Sequence, residues 1–229
     1  MIEFDSEDII FKPFSKLTST LRMQQILTDD FVAKMTGFPY GENYYQLVPS
    51  IMKYIDDNNL IIEVHLADRE KRITKLVGFV GFKSPNSDYL RTIIKRGVFG
   101  RNPETIKKLA EHTTQISYFL DANYHGMGIG TQMVRKAIDR RFASTKNPCA
   151  CIVATYGIFH DHDFSGPNVR SKNLLEHLGF EHLKIFRNIC PYSGEQVDVS
   201  CNYLLNPRLQ NQNEKTSTSK DESRDELER

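Results

Sequence analysis

The amino-acid sequence predicts an α+β chain, on three observations. From Thr113 onward, β-prone and helical patterns follow in the order strand, helix, strand, helix, strand, strand. Before that, two β-prone runs joined by the charged link ADREKR predict a hairpin. Between the Thr113 segment's first strand and first helix stands a glycine-rich turn, HGMGIG.

The elements follow in order. Ile9–Phe14 is apolar and β-prone, a first strand. Thr20–Met35 has an irregular helical pattern ended by Gly37 and Pro39, and 43–56 a second one that Pro49 divides or interrupts. Leu60–Leu66 and Ile73–Phe82 form the hairpin. The segment 83–112 contains no obvious strand, and Asn102, Pro103 and Glu104 mark a short helix start there. Its basic residues Arg91, Lys95, Arg96 and Arg101 read as a solvated face, with an anion-binding role as the rival reading. Gln115–Leu120 is a strand, and the next helix, through about Phe142, puts Met133, Val134, Ala137, Ile138 and Phe142 on one face. Ala150–Tyr156 is a strand, 168–178 a short helix closed by Gly179, and 180–190 and 196–205 are strands joined by the turn formers PYSGE. From 206 to 229 the only leucines are Leu209 and Leu227, so that stretch reads as a disordered polar tail and 1–205 as one folded domain.

Composition narrows the function classes. The chain has 229 residues, a formal charge of +1 and 39% hydrophobic residues, an ordinary soluble balance that excludes a globally basic nucleic-acid binder. The tail carries five basic and six acidic residues, which leaves the domain nominally +2. No run approaches the roughly 18 apolar residues of a membrane helix, and the acidic start MIEFDSEDII lacks a secretory pattern, so a cytoplasmic protein is expected, with an export or partner signal in the tail left open. Cys149, Cys151, Cys190 and Cys201 form no C-x-x-C pair and read as buried free thiols, Cys149 and Cys151 on one face.

The chemistry concentrates in LDANYHGMGIGTQMVR. Glycines where a strand ends and a helix begins let main-chain N–H groups close on an anion, aided by the positive end of the helix dipole. A phosphate or diphosphate is the expected ligand, with a purely structural turn as the competing reading. A P-loop would need Lys after the last glycine, and a dinucleotide fingerprint would need the spacing G-x-G-x-x-G early in the chain; neither is present.

The register from His125 to Gly130 resembles the acetyl-CoA signature (Q/R)-x-x-G-x-(G/A) of GNAT-type N-acetyltransferases, with His125 at the usual Gln/Arg position. Asn168, Ser171, Leu175, Gly179 and Phe180 resemble the N-x-x-S-x-x-x-L-x-x-x-G-F segment of the branch that acetylates ribosomal-protein N-termini and spermidine. The resemblance implies an α/β/α layered fold, with a mixed sheet of about six or seven strands and a cleft splayed between its two central parallel strands. Against that pattern 83–112 is an atypical insert. The resemblance also implies direct acetyl transfer from acetyl-CoA, a co-substrate, to a primary amine. Tyr118, Phe119 and Leu120 would then lie along the pantetheine, with a main-chain N–H near Phe119 as oxyanion donor. His125, Gly126, Met127, Gly128, Ile129, Gly130 and Thr131 would form the diphosphate cradle, Asn168 would hold the pantetheine arm, and Arg135 would reach a phosphate.

The resemblance implies a tyrosine on the late helix as proton donor to the leaving thiolate; 168–178 has none, and Ser171, at the serine of the N-x-x-S segment, is the candidate in its place. The base is not evident; Glu63 and Glu195 are weak options. His160 and His162, in HDHD, read as a polar surface loop, with a substrate-selecting loop or a base as the rival reading, and without a fixed third ligand no metal site is expected. Tyr40 and Tyr44 are expected to flank the acceptor, a small amine or a peptide, with no nucleic acid or membrane partner, in a monomer or homodimer. A polyamine pocket predicts clustered carboxylates, and a peptide groove an open cleft. The rival to the enzyme is a GNAT-like domain that binds CoA or a partner without catalysis.

Overall fold

The computed structural model describes residues 8–40, 45–68, 73–160, 165–189 and 196–208. One mixed sheet runs through them, with strands β1 (Ile9–Pro13), β2 (Leu60–Asp68), β3 (Ile73–Lys83), β4 (Thr113–Leu120), β5 (Cys151–His160), β6 (Ser165–Pro167), β7 (Glu181–Ile189) and β8 (Gln196–Leu205). Their spatial order is β1-β2-β3-β4-β5-β8-β7, with the short β6 paired to β5. Seven strands on the main path agree with the expected sheet; β6 is the addition, three residues long and too short for a pattern to announce. All pairs are antiparallel except β4 with β5.

Three apolar clusters hold the layers together. On one face α6 (Ile129–Phe142) and α7 (Val169–His177) pack through Met133, Val134, Ala137, Ile138 and Leu175 onto Val80, Ile116, Ile152 and Ala154. On the other face α1 (Lys16–Ile26), α2 (Asp30–Thr36) and α3 (Leu47–Asp57) cover Ile61, Phe79 and Phe119. Beside them α4 (Ser87–Lys95), α5 (Pro103–Glu111) and the link between them pack over Cys151, Val153, Leu183 and Cys201, with Tyr89 and Ile93 from α4 and Phe99 from the link. The segment 83–112 is therefore a two-helix cover for the β5-β8-β7 half of the sheet.

Several elements differ from their sequence reading for local reasons. The helical pattern 20–35 is two helices, because Asp29 accepts a hydrogen bond from Val32 N–H at 2.9 Å and starts α2 afresh. Pro49 does not divide α3, since it sits in the first turn where its missing N–H costs no helical bond. The helix α4, unread in the sequence, starts where the Asn86 side chain accepts from Asp88 N–H and buries Tyr89 and Ile93, four apart on one face. Cys149 and Cys151 do not share a face: Cys149 precedes β5 and joins the α6 side, whereas Cys151 lies under α4 and α5. Both thiols and Cys201 are free and buried; burial pushes Cys149 up to about 11, Cys201 up to about 12 and Cys151 higher still. Cys190 and the 206–229 tail beyond Arg208 lie outside the described residues. Arg91, Lys95, Arg96 and Arg101 are all exposed, the solvated face expected of them.

Candidate active site

The site begins where the one parallel pair among the described residues comes apart. Strand β4 pairs with β5 from Thr113 to Ile116, opposite Cys151 to Ala154, and then stops, while β4 continues beside β3 to Leu120 and β5 beside β8 to Ile158. The two central strands splay, and the gap opens into a cleft of about 870 Å³ that reaches both faces of the sheet.

The β4 edge of the cleft is defined by strand alternation. Asp121 N–H donates to the Val77 carbonyl at 2.8 Å, so the main-chain groups of Asp121 and Phe119 turn toward β3 and those of Tyr118 and Leu120 toward the gap. The edge N–H nearest Phe119 is thus its neighbour's. Phe119 itself is a wall: its ring lies 5.3 Å from Phe79, 5.8 Å from Tyr54 and 6.1 Å from Phe38 by centroids, an aromatic layer that stiffens the strand from behind. Tyr54 is buried, with its hydroxyl 3.0 Å from Ser117 Oγ, and burial pushes that phenol up to about 12.

At the end of β4 the chain turns on Asp121, which is buried and accepts from Asn123 N–H (2.9 Å) and Nδ2 (2.8 Å) and from Arg22. Burial alone would raise its carboxyl; the Asn123 hydrogen bonds and the Arg22 guanidinium outweigh that and hold it below the usual range. Gly126 (φ 77°) and Gly128 (φ 74°) then take left-handed conformations that favour glycine, and a Cβ built at either meets nothing within 4 Å. That empty space, at the N-terminus of the 14-residue α6, fits an anion. His125, Gly126, Gly128, Gly130 and Thr131 line the cleft. Met127 is half exposed and Ile129 fully buried in the core, so Ile129 has only main-chain groups to offer a ligand.

The opposite wall comes from α7. Asn168 caps that helix by accepting from Ser171 N–H at 3.1 Å, and its own N–H donates to the Gly157 carbonyl at 2.9 Å, which ties the helix start to β5. Ser171 Oγ lies 2.7 Å from the hydroxyl of Tyr118, so β4 and α7 meet across the gap through these two hydroxyls. Burial pushes the Tyr118 phenol up to about 12, against the lowering pull of Ser171.

The remaining sequence candidates distribute unevenly. Tyr40 does not line the cleft; it lies beneath Lys34, whose Nζ is 5.2 Å from the Tyr40 ring and 5.8 Å from that of Phe159. The main chain of His160 ends β5, opposite Ser165, while Tyr44, His162 and Glu195 lie outside the described residues. Arg135 is exposed and does not line the cleft. Glu63 is not at the site: it is buried, bonded to Ser15 N–H (3.0 Å), Ser19 and His65 (2.8 Å), and those bonds hold its carboxyl low although burial alone would raise it. Among the described residues no three His, Cys, Asp or Glu side chains gather as a metal site, and no helix is long and apolar enough to cross a membrane.

Sequence reading missed the lining that comes from far away in the chain. Tyr54 and Asp57 arrive from α3, Lys83 from the end of β3, Asn86 and Tyr89 from the 83–112 segment, and Arg170 from α7. Only Arg170 lay inside a motif, between Asn168 and Ser171, where its position alone carried no chemistry.

A family model for the acetyltransferase (GNAT) family matches residues 21–180. Among solved structures, a GNAT-family acetyltransferase from Bacillus anthracis superposes with a TM-score of 0.57 at 16% identity, covering 90% of this chain and 99% of that one. The spermidine N-acetyltransferase of Vibrio cholerae, in complex with CoA and spermine, gives 0.58 at 14% identity, covering 87% and 96%. The ribosomal-protein-S5-alanine acetyltransferase of Vibrio fischeri gives 0.54 at 16% identity, covering 90% and 98%. No curated protein matches the chain.

Proposed function

Because the chain belongs to the acetyltransferase (GNAT) family, we propose that it transfers the acetyl group of acetyl-CoA directly to a primary amine. The observation that carries this reading is the splay of β4 from β5 after Ile116 and Ala154, with the anion cradle at one end and the Tyr118–Ser171 pair beside the gap. Main-chain N–H groups from Gly126 to Thr131 hold the diphosphate, those of Met127 and Ile129 included. The open edge at Tyr118 and Leu120 pairs with the pantetheine amides as an added strand would, and Asn168, with its side-chain oxygen spent on Ser171, turns its amide NH₂ to the same arm.

Transfer forms a C–N bond to the acceptor and breaks the C–S bond of the thioester. The N–H at the β4 edge beside Phe119 faces the developing oxyanion. Ser171 Oγ gives a proton to the departing thiolate and recovers one from solvent or from the proton shed by the amine.

The lining supports one class of acceptor. Among the described residues Asp57 is the one carboxylate on the cleft, against Lys34, Lys83 and Arg170. A polycation would meet repulsion there. An α-amine with a pKa near 8 is about 10% neutral at pH 7 and needs little help from a base, so a peptide or small-molecule α-amine fits best. Tyr40 supports this side of the cleft through Lys34.

Acetyl-CoA turnover should be measured against a peptide with a free α-amine, the same peptide blocked at that amine but carrying lysine, spermidine and an aminoglycoside. Acetylation of the free α-amine is expected. Preference for spermidine sinks the acceptor class, and CoA binding without transfer to any amine sinks the enzyme.

A further inference from the structure

The cradle opens with His125 where the family signature has Gln or Arg. The imidazole does not face the cradle as a free donor. Its Nε2 lies 2.9 Å from the Leu120 carbonyl and its Nδ1 2.7 Å from Nη1 of Arg170. A carbonyl only accepts and a guanidinium only donates, so the proton sits on Nε2 and Nδ1 accepts from Arg170. The guanidinium also lies 4.9 Å from the centre of the Phe31 ring, and that ring meets His125 edge-on at 6.4 Å. Phe31 belongs to α2 on one face of the sheet and Arg170 to α7 on the other, so the three side chains meet across the mouth of the cleft, and all three line it.

We propose that Arg170, reaching from α7, is a diphosphate ligand for CoA, with His125 and Phe31 as its positioning residues. The inference rests on the acetyl-CoA reading above. The guanidinium has five N–H donors, of which the contact with His125 uses one, and among the described residues no carboxylate neutralises it. Its anchor, His125, adjoins Gly126, where the cradle leaves room for an anion. Stacked on Phe31, the planar fork is held in one orientation before any phosphate arrives, so less side-chain freedom is lost on binding.

The test is calorimetric titration of wild-type protein, Arg170→Ala, Arg170→Lys and His125→Ala with CoA, 3′-dephospho-CoA and pantetheine, with circular dichroism to confirm folding. Arg170→Ala is expected to weaken CoA and 3′-dephospho-CoA alike, roughly 10- to 100-fold, the worth of a charge-assisted hydrogen bond, and to leave pantetheine unchanged. Arg170→Lys should recover part of that loss, and His125→Ala should weaken both phosphate-bearing ligands less than Arg170→Ala does. CoA affinity within twofold of wild type in a folded Arg170→Ala protein overturns the proposal, as does an equal loss for pantetheine, or a loss seen with CoA and absent with 3′-dephospho-CoA. Wild-type protein that binds no CoA at all overturns the acetyl-CoA reading itself, a different result from any of these.

Discussion

The hydroxyl of Tyr118, on the strand that leaves the parallel pair, meets Ser171 Oγ, at the start of α7, at 2.7 Å. Either hydroxyl can donate across that contact, and burial pushes the Tyr118 phenol up to about 12. The pair therefore ties β4 to α7 across the splay.

Replacing Ser171 with Ala should lower kcat about 10²-fold, the low end for a lost general acid, with KM for acetyl-CoA nearly unchanged. Tyr118→Phe should lower kcat less, because the serine remains and only its orientation is lost. Steady-state kinetics at saturating acceptor checks both. A Ser171→Ala protein with wild-type kcat removes the serine from the mechanism.

Gly128→Ala should hurt binding more than folding. The left-handed conformation costs an alanine about 1 kcal/mol, with no protein atom within 4 Å of the new methyl. That methyl enters the space reserved for the anion, so CoA affinity should fall roughly tenfold or more while urea stability drops by about 1 kcal/mol. Equal CoA affinity would place the diphosphate elsewhere.

Gly81→Ala is the reverse case. The new Cβ would stand 2.3 Å from the Tyr54 hydroxyl, 2.6 Å from Asn58 Oδ1 and 2.9 Å from Ser117 Oγ. The aromatic layer behind β4 has to shift, an overpacking cost of about 1–3 kcal/mol. A marked fall in Tm by calorimetry is expected, and an unchanged Tm would mean that Tyr54 has another place to go.

Two carboxylates make the fold acid-sensitive. Asp121 and Glu63 are both held below their ordinary values in the folded chain. A depressed folded pKa means stability that is complete above the unfolded value, about 4, and is lost as pH falls through the folded one. Denaturant midpoints measured from pH 7 down to pH 3 should fall, and Asp121→Asn should flatten that fall while lowering the midpoint at pH 7. A slope identical to wild type would show that Asp121 does not carry the effect.

What the sequence revealed and what it hid divide by range along the chain. The cradle was legible because Gly126 and Gly128 must take left-handed conformations within four residues of a helix start. Asn168 and Ser171 were legible as a cap and its partner three positions on. The Tyr118–Ser171 pair joins residues 53 apart, and Arg170 reaches His125 across 45. Nothing in a local pattern marks such meetings, since they depend on how far β4 and β5 diverge. For the same reason Tyr40 looked like a cleft residue and Tyr54 did not, although the fold puts Tyr54 in the wall and Tyr40 under a lysine. In the 83–112 segment only the helix start at Asn102 is legible, because Tyr89 and Ile93 of α4 find their partners on strands more than 50 positions later.

The three-residue β6 has a mechanical consequence. By pairing with β5 from Ile158 to His160, it closes the far part of the main-chain edge that the splay leaves open, and Asn168 N–H takes the Gly157 carbonyl just before it. What stays open on the β5 side is a short stretch beside Thr155, whereas β4 runs on to Leu120. The two rims of the slot are therefore unequal in length.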